Sequence, residues 1–207
     1  MQHPRNLDHI VVATNDLVAT VDAFTKATGV APALGGIHPD QGTRNFLAAF
    51  SGGGYLEIIG IDEDRPGPRI FDLHLISEPK VATFAVHPEG PEGKLGNASA
   101  LGFELGELYD GERRDPSGNL LRWRLTRPLF SDHSGASPFV IDWGNTPSPA
   151  ETTQAQVELD EFRVAHPDPS KLKELYDVLD VDVFVEEGPA VSLAITVSGP
   201  SGQWTIR

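Results

Sequence analysis

Leu7 to Asp16 reads LDHIVVATND, and this stretch sets the reading of the whole chain. Its β-branched run from Leu7 to Ala13 has strand composition, and Asp16 follows as a helix N-cap before LVATVDAFTKATG. There Val18, Val21 and Phe24 recur at helical spacing, and Gly29 suits the stop. The imidazole of His9, next to Asp8, stands at the start of an otherwise apolar run. The stretch also has a second copy, because Leu159 to Asp168 reads LDEFRVAHPD and places Glu161 opposite His9. A repeated strand-and-cap start divides the chain into units.

Working outward, the first unit spans residues 1–62: after the helix come a Gly-rich bend, LGGIHPDQGTRN, a strand from Asn45 to Phe50, the turn SGGG and the strand YLEIIG. Residues 63–144 hold a Pro-rich charged linker, DEDRPGPR, then FDLHLI and a second, degenerate unit. It runs from VATFAVHP through a Gly-broken short helix and FELGELYDGERR to a DPSGN turn and LLRWRLT, with SPFVIDWG as an extra strand. After the linker NTPSPAETT, residues 156–207 form a third, degenerate unit. Asp168 caps a helix carrying Leu172, Leu175 and Leu179, and three strand-like runs follow. The expectation is an α+β fold of repeated βαβββ modules in one compact domain.

Sixteen basic and thirty acidic side chains give a formal charge of −14, which argues against a nucleic-acid backbone or an anionic membrane face as partner. With no cysteine, disulfides and thiolate chemistry are excluded, so any metal must be held by imidazole and carboxylate. No stretch approaches the ~20 apolar residues of a membrane span, and MQHPRN lacks the apolar region of a signal peptide. The expected setting is cytoplasmic, with a small molecule as partner and a homodimer compatible with the pattern. A GxSxG elbow, a P-loop and a GxGxxG after a strand are all absent.

LDHIVVATNDL, GGIHPDQGTRN, YLEIIG, DPSGNLLRWRL and PFVIDWG together resemble the vicinal oxygen chelate superfamily (glyoxalase/bleomycin resistance/dioxygenase), and within it the glyoxalase-like domain proteins. The resemblance implies a cup-shaped, strongly curved mixed sheet with helices outside, whose floor binds a small molecule, often through a divalent metal. It implies metal ligands on the first and fourth strands of each module. In the first module these positions hold His9 and Glu57. In the second they fall near Thr83 and, counted from the DPSGN turn, on Arg122, so a four-ligand site is not complete.

Strand alternation puts His9 on the face opposite Ile10 and Val12, and groups Tyr55 with Glu57 and Ile59. If the two strands pair, His9 and Glu57 approach one another, a donor pair suited to Zn, Mn, Fe or Ni. His87 shares the parity of Thr83 and is the candidate third ligand, with His38 on its loop another; the site is equally open to holding no metal. A hydrogen-bonded structural His and a solvent-facing Glu are the bland alternative. Arg122 either pairs with Glu57, grips a substrate oxyanion, or is a surface arginine, since either Arg122 and Arg124 or Leu121, Trp123 and Leu125 face the cup. His38, Thr43 and Asn45 sit in a turn placed to close over a ligand or to cap its own backbone. Trp143 is core or ligand platform. Glu161 either packs or comes across to complete the site.

Two functions follow. One is a glyoxalase-like isomerase, lyase or dioxygenase acting on a metabolite with vicinal oxygens, with Glu57 as base or ligand, Arg122 as oxyanion partner and His38 as mobile contact. The other is a non-catalytic protein that binds a small molecule or antibiotic in the same cup without metal.

Overall fold

The computed structural model describes residues 3–39, 41–64, 70–114, 118–127 and 135–207. Asp115, Pro116 and Ser117 of the DPSGN turn, Asp40 of the Gly-rich bend and residues 65–69 of the first linker lie outside the described residues.

The opening stretch forms β1, Leu7–Ala13, and every one of its residues is buried. Alternation divides the strand: Ile10 and Val12 join one apolar cluster, Val11 and Ala13 another. Asp16 ends the strand and caps α1, Leu17–Thr28, its Oδ1 accepting from the Ala19 N–H at 2.9 Å. Gly29 closes α1 at φ +76, and a side chain there would strike Ser201, so both conformation and space call for glycine. Next come β2, Ala33–His38, β3, Thr43–Phe50, and β4, Tyr55–Ile61. β4 returns to lie parallel to β1, with His9 beside Tyr55 and Val11 beside Glu57.

A short 3-10 segment, Ile70–Leu75, precedes the second unit. That unit contains β5, Lys80–Val86; α2, Pro91–Ala100; β6, Leu108–Arg114; β7, Leu120–Thr126; and β8, Phe139–Asp142. α2 has two glycines and buries only Ala98, which accounts for its faint periodicity in the sequence. β5 runs antiparallel to β1, and β8 lies parallel to β5 as β4 does to β1. The strand of SPFVIDWG is therefore not an extra element. It is the second module's fourth strand, and the count that placed that position on Arg122 was one strand short.

The third unit keeps the chain order but changes the pairing. It comprises β9, Gln156–His166; α4, Pro169–Val178; β10, Phe184–Glu187; β11, Ser192–Gly199; and β12, Gly202–Ile206. Here the strand after the helix, β10, lies parallel to β9, and β11 lies on its other side. In the first module the strand after the helix is an outer one and the last strand pairs with the first. Glu161 is thus no structural counterpart of His9, and its carboxylate pairs with Arg163. A four-residue helix, α3 (Pro149–Thr152), with a Ser148 and Glu151 capping box, leads into β9.

The twelve strands of the described residues form one curved, unclosed sheet, in which β9 joins the first module through two pairs, Ala49 with Gln156 and Phe50 with Val157. The convex face carries the larger core: Phe84 of β5 meets Phe162 of β9 and Tyr176 of α4 edge-on at 5.1 and 5.8 Å, and Phe24 of α1 meets Trp204 of β12. The third unit and the helices therefore cover the back of the first two modules. The concave face is left as a cup.

Candidate functional site

The cup has a volume of about 640 Å³, within the usual range for a small-molecule site, and its wall is mostly aromatic and aliphatic. Its cup-facing strand positions follow from parity. β1 offers His9 and Val11, β4 offers Tyr55, Glu57 and Ile59, and β8 and its end offer Phe139, Ile141 and Trp143. On β7 the cup side is Trp123 and Leu125. Gly111 of β6 makes room for this: it lies opposite Trp123, and a Cβ there would sit 2.4 Å from the indole Nε1.

The polar centre of this apolar wall is a chain of hydrogen bonds. Asp8 Oδ1 is 2.6 Å from His9 Nδ1, while Asp8 Oδ2 accepts from Trp143 Nε1 at 3.0 Å. A carboxylate accepts and cannot donate, so the His9–Asp8 contact places a hydrogen on Nδ1. His9 Nε2 then faces Glu57 Oε2 at 3.5 Å, and Asn45 Nδ2 donates to Glu57 Oε1 at 2.6 Å. Tyr55 stacks on the His9 ring at 4.6 Å between centroids, and Phe139 meets it edge-on at 5.3 Å. Burial, with Asp8 and Glu57 nearby, holds the Tyr55 hydroxyl well above its ordinary range, while Arg113 opposes. His38 is lowered by burial, with Glu57 pulling up and Arg113 pushing down.

Of the residues singled out in the sequence, His9, His38, Asn45, Tyr55, Glu57 and Trp143 line the cup. Thr43 is buried at its edge, 3.1 Å from His38 Nδ1 through its hydroxyl. Thr83 is buried beside Val11 on the sheet and does not line the cavity. His87 also lies outside the lining; its side chain is 44% exposed and its Nδ1 is 3.9 Å from Asp8 Oδ2. Arg122 lies on the outer face, 71% exposed, beside Glu112 at 3.4 Å. It is Trp123 that enters the cup. The cationic wall residues are instead Arg113 and Arg127, which sequence reasoning missed. The legible signal was the mid-strand glycine of LYDGERR, which marks the same pleat face as Arg113.

The fold implies a divalent metal in many relatives, so the donor set must be weighed. His9 and Glu57 supply two donors, but among the described residues no group of three His, Cys, Asp or Glu side chains is placed to hold an ion. A catalytic site of this kind needs about three protein ligands. The cup also presents guanidinium groups, which repel a cation. The described residues do not fit a resident metal.

A sheet of two βαβββ modules paired along their first strands, enclosing a ligand-sized cup, is the architecture of the vicinal oxygen chelate superfamily. The family model described as "Glyoxalase-like domain" matches residues 7–179, and the chain belongs to that family. Among solved structures, it resembles a hypothetical protein from Staphylococcus aureus over 99% of this chain and 86% of that one, at 16% identity and a TM-score of 0.63. A methylmalonyl-CoA epimerase from Mycobacterium tuberculosis is 16% identical, covering 70% of this chain and 91% of that one, with a TM-score of 0.45. The Streptomyces coelicolor methylmalonyl-CoA epimerase, in complex with 2-nitronate-propionyl-CoA, is 23% identical over 67% of this chain and 97% of its own, also at 0.45. Comparison with curated proteins returned no match. Among the described residues no helix is long and apolar enough to cross a membrane.

Proposed function

We propose that the chain is a glyoxalase-like enzyme of the isomerase type, moving a proton on a small metabolite with vicinal oxygens and using no resident metal. The observation that carries this reading is the meeting of His9 Nε2 and Glu57 Oε2 at 3.5 Å on the floor of an apolar cup. Glu57 takes the proton from carbon, the C–H electron pair moves into the adjacent carbonyl, and the enolate oxygen so formed faces His9. Return of a proton to carbon completes the isomerisation without an external oxidant or reductant. Asp8 fixes the ring of His9, and Asn45 fixes the carboxylate of Glu57, so neither group must reorganise during the step. Tyr55 and Phe139 pack the imidazole from two sides and keep water from it.

The rival reading, a binding protein without turnover, is favoured by the aromatic wall of Trp123, Trp143, Tyr55 and Phe139. Glu57→Gln separates the two on a panel of aryl and branched 2-oxo and 2-hydroxy acids. An enzyme keeps ligand-induced thermal stabilisation in the variant and loses turnover. Ligand binding with no turnover by the wild type on any panel member supports the binding protein.

A further inference from the structure

We propose that Arg113 is the residue that recognises a carboxylate on the cup's ligand, which makes that ligand an organic anion with a flat or branched apolar body. This inference rests on the cup being the functional site. It does not depend on which proton moves there.

Arg113 stands on β6, the outer strand of the second module, yet its Nη1 donates to the carbonyl of Gly35 on β2, the outer strand of the first. One guanidinium thus spans the two rims of the cup. Gly36 on β2 leaves the guanidinium room where it stands: a Cβ there would lie 2.6 Å from Arg113 Nη1 and displace it. Only one of its five N–H donors is engaged by that carbonyl. Among the described residues Arg113 forms no ion pair, in contrast to Arg122, Arg124 and Arg163, each of which has a carboxylate partner. Asp110 borders the cavity too, but it stands on the alternate face of the β6 pleat and makes no ion pair with Arg113.

The charge distribution points the same way. In a chain of net charge −14, the cup carries Arg113 and Arg127, the latter held over the Tyr109 ring at 4.6 Å. The Glu57 carboxylate on the floor accepts from Asn45 and lies 3.5 Å from His9 Nε2. A half-buried guanidinium that has donors to spare among the described residues, facing an apolar cavity, is a fork for a planar carboxylate. The neighbouring Trp123 and Phe139 supply stacking surfaces for the apolar remainder.

Benzoylformate is a suitable probe, since it joins an aryl ring, vicinal oxygens and a carboxylate and has no α-proton, so binding is read without turnover. Its methyl ester is the neutral comparator. Calorimetric titration of the wild type is expected to show the acid bound about tenfold or more tighter than the ester, the discrimination expected of one charge-assisted bidentate contact. Arg113→Gln should bring the two affinities together while leaving that for the ester in place, and Arg113→Lys should retain part of the preference. Arg122→Gln, on the outer face, should change neither. Equal binding of acid and ester by the wild type, no binding of the acid, or a preference that survives Arg113→Gln would each overturn the assignment. If Arg113→Gln fails to fold, the Lys variant decides: an undiminished acid preference there overturns the fork. Loss of turnover in Glu57→Gln with the acid preference intact would speak to the proton-transfer reading alone.

Discussion

His9 and Glu57 face one another at 3.5 Å from adjacent parallel strands, although their backbones are two positions out of register: Tyr55 lies beside His9, and Glu57 beside Val11. Strand parity keeps both side chains on the cup side, and Tyr55 stacks on the imidazole at 4.6 Å. The pair is held from behind by Asp8 and from the side by Asn45.

Asp8 is buried and accepts hydrogen bonds from two buried rings, His9 and Trp143. Asp8→Ala would leave both N–H groups unsatisfied, at about 1–3 kcal/mol each. Urea titration should therefore show a loss of about 2–6 kcal/mol, with a lowered midpoint and unchanged m-value. A loss below about 1 kcal/mol would mean that the network does not hold the site together.

Tyr55 makes an alkaline prediction. Its folded hydroxyl keeps its proton well above the ordinary value of 10.0, so the unfolded chain ionises first as pH rises. The contribution is full below pH 10.0 and is lost as pH climbs toward the folded value. Melting temperature measured across this range should fall more steeply for the wild type than for Tyr55→Phe.

The acid side belongs in part to His38. Burial lowers its pKa from 6.5, so the unfolded chain takes up the proton first as pH falls. Its contribution is present above pH 6.5 and is lost as pH drops through the lower, folded value. His38→Gln should flatten the decline in stability below pH 6.5; an unchanged slope would place that decline elsewhere.

Two of the three tryptophans, Trp123 and Trp143, line the cup with their rings 5.6 Å apart, while Trp204 packs against Phe24 in the opposite core. Binding of benzoylformate should therefore change the intrinsic fluorescence of the wild type and of Trp204→Phe alike, and should change it far less when Trp123 and Trp143 are both replaced by Phe. A signal carried by Trp204 would put the ligand on the convex side.

The sequence made the first module readable because its rules are local: a β-branched run, an Asp cap, a glycine stop, and alternation that put His9 and Glu57 on definable faces. Alternation could not say which face of LLRWRLT is inward, because it separates two sets without orienting them. The deciding contact, Gly111 under Trp123, is a cross-strand one. Arg113 was hidden for a related reason, since its partner Gly35 is 78 residues away. The third unit has the right order of elements, but β10 pairs with β9 and packs under α4, long-range contacts that no local signal in the sequence announces.

The most direct test of the account is the rate at which the wild type exchanges carbon-bound hydrogen of a 2-hydroxy or 2-oxo acid for deuterium in D2O, followed by NMR with a chelator present. Mandelate, phenylpyruvate and 4-methyl-2-oxopentanoate form a starting panel. The account predicts enzyme-dependent exchange at one position of at least one acid, undiminished by the chelator and reduced about a hundredfold or more in Glu57→Gln. Exchange that requires added metal, or that survives Glu57→Gln, would contradict it.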